Sequence, residues 1–224
     1  MATYTKRRRR KKKKNNALKA VLIVITIVAA ALLIGLIYII MNWRTIVKKA
    51  EELLPSSFSY PTDYEEYVLK YSKQYNVDPV FVFSVIKTES GFDPKATSEV
   101  GARGLMQLMD EAFNWLKFRM NDQRNITFDS MYDPETNIQY GTYYLGYLLE
   151  HYDNNMDLAA AAYHGGIGAV DSWIEQGLID KTNVDVDKIP QTNDKTAEYV
   201  RRIRTAYSKY KDILNEKNIT SNKV

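Results

Sequence analysis

The residues best placed to do chemistry gather around one acid. Val82, Val85, Ile86 and Glu89 recur at the i, i+3, i+4, i+7 spacing of a single helical face. An acid at the end of an apolar stripe is costly to bury in its charged form. A helix C-terminus also disfavours negative charge. Both effects raise a carboxyl pKa. A carboxyl that keeps its proton near neutrality suits general acid catalysis. Taken alone, the position is more often the solvent-facing end of the stripe than a working acid. Other chemistries are narrowed by composition. The chain has no cysteine, which excludes disulfides and thiolate metal sites. Its two histidines, His151 and His164, do not form a His-Glu-x-x-His pattern, so a zinc hydrolase is not expected. No metal and no other cofactor is expected.

The residues after Glu89 change that reading. Ser90 to Ala96 is rich in turn formers, and Gly101 to Gln107 sets two glycines and a polar Gln within an apolar run. The string TESGFDPKATSEVGARGLMQ resembles the first motif pair of the Slt-type lytic transglycosylases, family 23 of the glycoside hydrolases. Glu89, Ser90, Phe92, Pro94, Ala96, Ser98, Gly101, Ala102, Gly104, Leu105, Met106 and Gln107 all match the family pattern. Two later segments agree. Ala161 to Val170 is similar to the family's Ala-Tyr-Asn-Ala-Gly-x-Gly-x-Val motif, and Thr196 to Val200 to its Glu-Thr-x-x-Tyr-Val motif. Three positions depart: His164 replaces Asn, Gly165 replaces Ala, and Lys195 replaces Glu. Glu198 and Asp194 are the candidates to stand in for that lost carboxylate.

The resemblance spans roughly residues 63–210 and implies a goose-lysozyme-like, mostly helical fold. It implies cleavage of the bond between N-acetylmuramic acid and N-acetylglucosamine, with Glu89 as the one catalytic residue, acid first and base second. The muramyl acetamido group then stands in for a second protein carboxylate, and the sugar's own C6 hydroxyl closes a 1,6-anhydro ring. Carried over by position, Ser98 and Gln107 bind sugar or peptide groups, Met106 forms part of the groove wall, and His164 reaches the sugar. The Tyr163 hydroxyl bonds the catalytic acid. Tyr199, with Val200 and Ile203, reads as a core helix face. Two rival functions remain at this stage. One is a muramidase on the same fold, for which Asp110, Glu111, Asp129 and Asp133 are available acids. The other is a wall-binding or assembly protein that has lost activity.

The elements that must position these residues are helices. No stretch alternates with period two, so the outer part is all-α. Asp78-Pro79 places an N-cap acid before a proline at the first helical position, and that helix runs to about Glu89. Asp133-Pro134 repeats the logic for a long helix to about Tyr152. Helices are further expected from Tyr64 to Tyr75, from Asp110 to Phe118, over Leu158 to Tyr163 with Asp157 opening it, over Gly168 to Gln176, and from Thr196 to about Leu214.

Ahead of this domain lies an anchor. Residues 20–41 carry no charge. As a helix rising about 1.5 Å per residue, they span roughly 33 Å, enough for a bilayer core. Ten Lys/Arg precede residue 20, so the chain charge of +4 becomes −6 for everything after it. The basic run therefore reports topology rather than substrate. It places the N-terminus in the cytoplasm and the rest outside the cell membrane, crossed once. The expected divisions are a basic tail (1–19), a transmembrane helix (20–41), a stalk (42–62), the catalytic domain (63–214) and a flexible end (215–224). The expected partners are peptidoglycan glycan strands and the membrane, with cell-envelope machinery a candidate and nucleic acid excluded.

Overall fold

The computed structural model describes residues 25–43, 45, 49, 59–190 and 195–221. The chain divides into two units, residues 1–55 and 56–224. In the first, residues 25–41 are helical, and their apolar side chains stand in the open: Leu32 is 71% exposed and Ile34 67%. Among the described residues no helix is long and apolar enough to cross a membrane. The basic tail, residues 20–24 of the expected span, most of the stalk and residues 222–224 lie outside the described residues.

The second unit is helical, as expected. Among the described residues it holds seven α-helices: α1 (Glu65–Tyr75), α2 (Pro79–Glu89), α3 (Asp110–Arg119), α4 (Pro134–His151), α5 (Met156–Gly165), α6 (Ile167–Glu175) and α7 (Thr196–Ser221). Two short 3-10 turns, Phe128–Tyr132 and Val186–Lys188, complete it. Extended pairing among the described residues is confined to isolated bridges between Thr97, Arg103 and Leu108.

Helix α2 is the axis of the domain. The Asp78 side chain accepts from the Val80 amide at 2.8 Å, and Pro79 occupies the first turn. The expected one-sided stripe is in fact broader. Phe81, Val82, Phe83, Val85 and Ile86 are all at most 1% exposed, so α2 is apolar on nearly every side. Burying each of these side chains contributes about 1.5–3 kcal/mol. Its fully buried polar residue, Ser84, returns its hydroxyl to the Val80 carbonyl at 2.6 Å, which satisfies it within the helix.

Helix α7 runs antiparallel along α2 and bonds it at both ends. Tyr207 donates to Asp78 at the start of α2, while Arg202 donates to the Thr88 carbonyl and Tyr199 to Glu89 at its end. Helix α4 starts where Asp133 accepts from the Thr136 amide. Three boundaries differ from expectation. Asn155, not Asp157, caps α5, accepting from the amides of Asp157 and Leu158, while Asp157 instead receives both arms of Arg204. Asp110 lies inside the first turn of α3 rather than before it, where its charge still suits the helix N-terminus. Helix α7 continues past Leu214 to Ser221, because no glycine or proline interrupts it. Asp194 lies outside the described residues.

Candidate active site

Glu89 is the last residue of α2 and is half-buried where α7 crosses it. Its Oε1 accepts a 2.7 Å hydrogen bond from the Tyr199 hydroxyl. Burial pushes the carboxyl up to about 7; the Tyr199 bond and the nearby Arg202 charge both act against that rise. The result is a carboxyl that holds its proton to near neutrality and has a donor ready to stabilise the anion once the proton leaves. Tyr199 was expected as core packing. Its ring is buried as a core residue's would be, but its hydroxyl spends its hydrogen on Glu89. A phenol on an otherwise apolar face needs a partner, and that was the available signal.

Tyr163 differs in the opposite sense. Its hydroxyl donates to the Met106 carbonyl at 2.7 Å, so it is not the residue that bonds Glu89. The reason is its place on α5, where its ring packs on Tyr144 and its hydroxyl meets the loop beyond α2. It is nonetheless a neighbour of the acid. Burial raises the Tyr163 pKa well above its usual value, and the Glu89 charge adds to that.

The loop after Glu89 is held from beneath. The Ser90 hydroxyl donates to the Leu105 carbonyl at 2.8 Å and accepts from the Phe92 amide, which ties the helix end to the far side of the loop. Asn137, fully buried on α4, accepts from the Met106 amide at 2.8 Å and donates to the carbonyls of Arg103 (3.0 Å) and Met131 (2.9 Å). Gly104 passes over this amide at φ +75°, and a Cβ there would lie 2.0 Å from the Met131 carbonyl oxygen. Met106 is 0% exposed, with its sulfur against the backbone of Gly141, where an added Cβ would come within 2.3 Å. It therefore does not line a groove wall. The gap left by Gly141 draws its side chain into the core.

Ser98 and Gln107 sit on the same loop. Ser98 accepts from the Ala102 amide at 2.9 Å, which leaves its hydroxyl hydrogen to donate. Gln107, at φ +47°, turns its amide nitrogen onto the carbonyls of Ala96 and Gly104. His164, at the end of α5 and exposed, stacks on Tyr199 with ring centres 4.6 Å apart, and its Nδ1 meets the Thr196 hydroxyl at 3.2 Å. It is thus one ring away from the group that grips Glu89. Lys195 is exposed at φ +56°, and its carbonyl accepts the Tyr199 amide. Glu198 is exposed and faces Arg201, not Glu89.

Three of the other candidate acids are engaged elsewhere, and Glu111 stands exposed on α3. Asp129 pairs with Arg103, Asp133 caps α4, and Asp110 bonds Asn114. Among the described residues, no second carboxylate contributes to the Glu89 titration.

The sequence pattern of the transglycosylase SLT domain matches residues 66–185. The chain is 32% identical over 162 residues to a soluble lytic murein transglycosylase of Salmonella typhimurium, covering 70% of this chain and 24% of that protein. It is 29% identical over 158 residues to membrane-bound lytic murein transglycosylase C of Klebsiella pneumoniae, covering 62% and 44%. The crystal structure of the 70 kDa soluble lytic transglycosylase of Escherichia coli superposes with a TM-score of 0.64 at 28% identity, over 69% of this chain and 25% of that one. The chain thus spans about a quarter of the length of the soluble enzymes it matches. Matched over more than half its length, the chain belongs to the transglycosylase SLT domain family.

Proposed function

We propose that this chain is a peptidoglycan lytic transglycosylase held at a membrane by its N-terminal helix. The observation that carries the reading is Glu89: one carboxyl, raised to about 7 by burial, bonded by one tyrosine, with no second carboxylate acting on it among the described residues. Glycosidases that activate water or use a protein nucleophile place two carboxylates around the scissile bond. A lone acid instead fits chemistry in which the substrate supplies the second group. Protonated Glu89 donates to the oxygen between N-acetylmuramic acid and N-acetylglucosamine, while the muramyl acetamido group stabilises the cationic centre. Glu89 is then a carboxylate, steadied by Tyr199. It takes the proton from the C6 hydroxyl, which attacks C1 and closes the 1,6-anhydro ring. No water is consumed.

The other site residues take supporting parts. The free hydroxyl hydrogen of Ser98 and the amide oxygen of Gln107 bind N-acetyl and hydroxyl groups of the strand, and His164 offers its exposed ring to a sugar. Tyr163 and Met106 act through the loop backbone they hold in common. The uncharged span with ten cations before it supports a single crossing, with the N-terminus in the cytoplasm and residues 42–224 outside. The similarity to a membrane-bound relative supports membrane association. In this reading, residues 42–62 form the stalk and 63–214 the catalytic domain, with envelope machinery a candidate partner. A turbidity assay on purified cell walls tests the function. Wild type should clear them, and Glu89→Gln should be slower by about 100-fold or more. Equal inertness of both proteins, with wall binding retained, would leave only a structural role.

A further inference from the structure

A pocket opens beside the end of α2, lined by the residue before Glu89. It has a volume of about 280 Å³ and is lined by Lys87 and Thr88 of α2, by Glu198, Arg201 and Arg202 of α7, and by Tyr60. Three cations therefore face one acid. Arg201 is occupied by Asp187 and Glu198. Neither of the other two cations forms a salt bridge among the described residues, although the Arg202 charge reaches the Glu89 carboxyl. Lys87 lies over the Tyr60 ring, 5.6 Å from its centre, and Arg202 makes one hydrogen bond, to the Thr88 carbonyl at 2.7 Å. A guanidinium has five N–H donors, so most of Arg202's remain to offer. Tyr60 is fixed from behind by Tyr210, edge-on at 5.4 Å, and gives the pocket an aromatic wall.

From this geometry we infer that the pocket binds a carboxylate of the peptide stems carried by the glycan strand. The inference rests on the proposed function. Two cations outside any salt bridge, beside an aromatic wall, suit a carboxylate attached to an aliphatic chain, because the cations take the charge and the ring covers the methylenes. A bare phosphate would use the cations but leave the ring idle. Proximity ties the site to the reacting strand. Thr88 lines the pocket and Glu89 follows it, and the Arg202 charge is felt by the Glu89 carboxyl.

The test is direct binding to the full chain, which does not depend on turnover. A stem tetrapeptide with free carboxylates and the same peptide fully amidated are titrated by calorimetry, with inorganic phosphate as a third probe. Wild type should prefer the free acid by about five-fold or more, the worth of one charge-assisted hydrogen bond. Lys87→Ala should erase most of that preference and Lys87→Arg should restore it, while Lys209→Ala, exposed further along α7, should leave it intact. Equal affinity for the two peptides, full preference in Lys87→Ala, or tighter binding of phosphate than of peptide would each overturn the assignment. Failure here with normal wall clearance sinks the pocket alone. Normal discrimination without clearance sinks the catalytic reading and leaves the pocket standing.

Discussion

In the proposed reaction Glu89 holds a proton in one step and takes one back in the next, and its surroundings suit both. Burial favours the neutral acid, while the Tyr199 hydroxyl and the Arg202 charge favour the anion, with a balance near 7. Activity should therefore fall as pH rises through about 7, where the acid loses its proton before substrate arrives. Tyr199→Phe removes a bond that favours the anion, so the alkaline limb of the pH–rate profile should move upward while turnover drops. A downward shift would contradict the assigned role. The same burial carries a cost in stability. The folded protein holds the Glu89 proton more tightly than the unfolded chain, whose carboxyl titrates at about 4. Stability is thus fully present below about 4 and declines until pH passes about 7. Glu89→Gln should stabilise the domain by roughly 3–4 kcal/mol at pH 8, and the gain should vanish in acid. Thermal melts across pH read this directly.

At the scale of elements, the site is a helix end pinned by two helices and floored by a third. Asn137 on α4 satisfies three main-chain groups at once, those of Met106, Arg103 and Met131. Asn137→Leu strands all three in the core and should cost roughly 3 kcal/mol in chemical denaturation. Loss of activity should accompany it, since the loop beside Glu89 loses its support. The local parts of this design could be read from the chain. Asp78-Pro79 and Asp133-Pro134 announce their helices because a cap acts over two or three residues, and Glu89 stood out through the loop motif that follows it. The long-range parts could not. Tyr199 meets Glu89 across 110 positions and Tyr163 meets Met106 across 57. Tyrosines on two apolar helix faces look alike until packing decides which hydroxyl reaches the acid. The role of Gly141 was equally hidden, since only the approach of Met106 gives a missing Cβ its purpose. Asn155 took the capping role expected of Asp157 because Arg204, far along the chain, claims the aspartate.

At the scale of the whole molecule, the proposed reading puts an anchor and a cutting domain on one chain, which would restrict cleavage to wall near the membrane. Removing residues 1–41 should shift the protein from the membrane fraction to the soluble one and leave turnover of soluble glycan strands close to wild type. A truncated protein that still sediments with membranes would contradict the anchor. The central claim concerns the reaction itself, a lone acid that finishes the cut with the substrate's own hydroxyl. It is tested most directly by mass spectrometry of the fragments released from purified peptidoglycan, with Glu89→Gln as the control. Wild type should form muramyl ends lighter by one water than reducing ends, and the variant should form none. Muramyl products that all carry reducing ends would contradict it, and would require a water and a second acid beside Glu89.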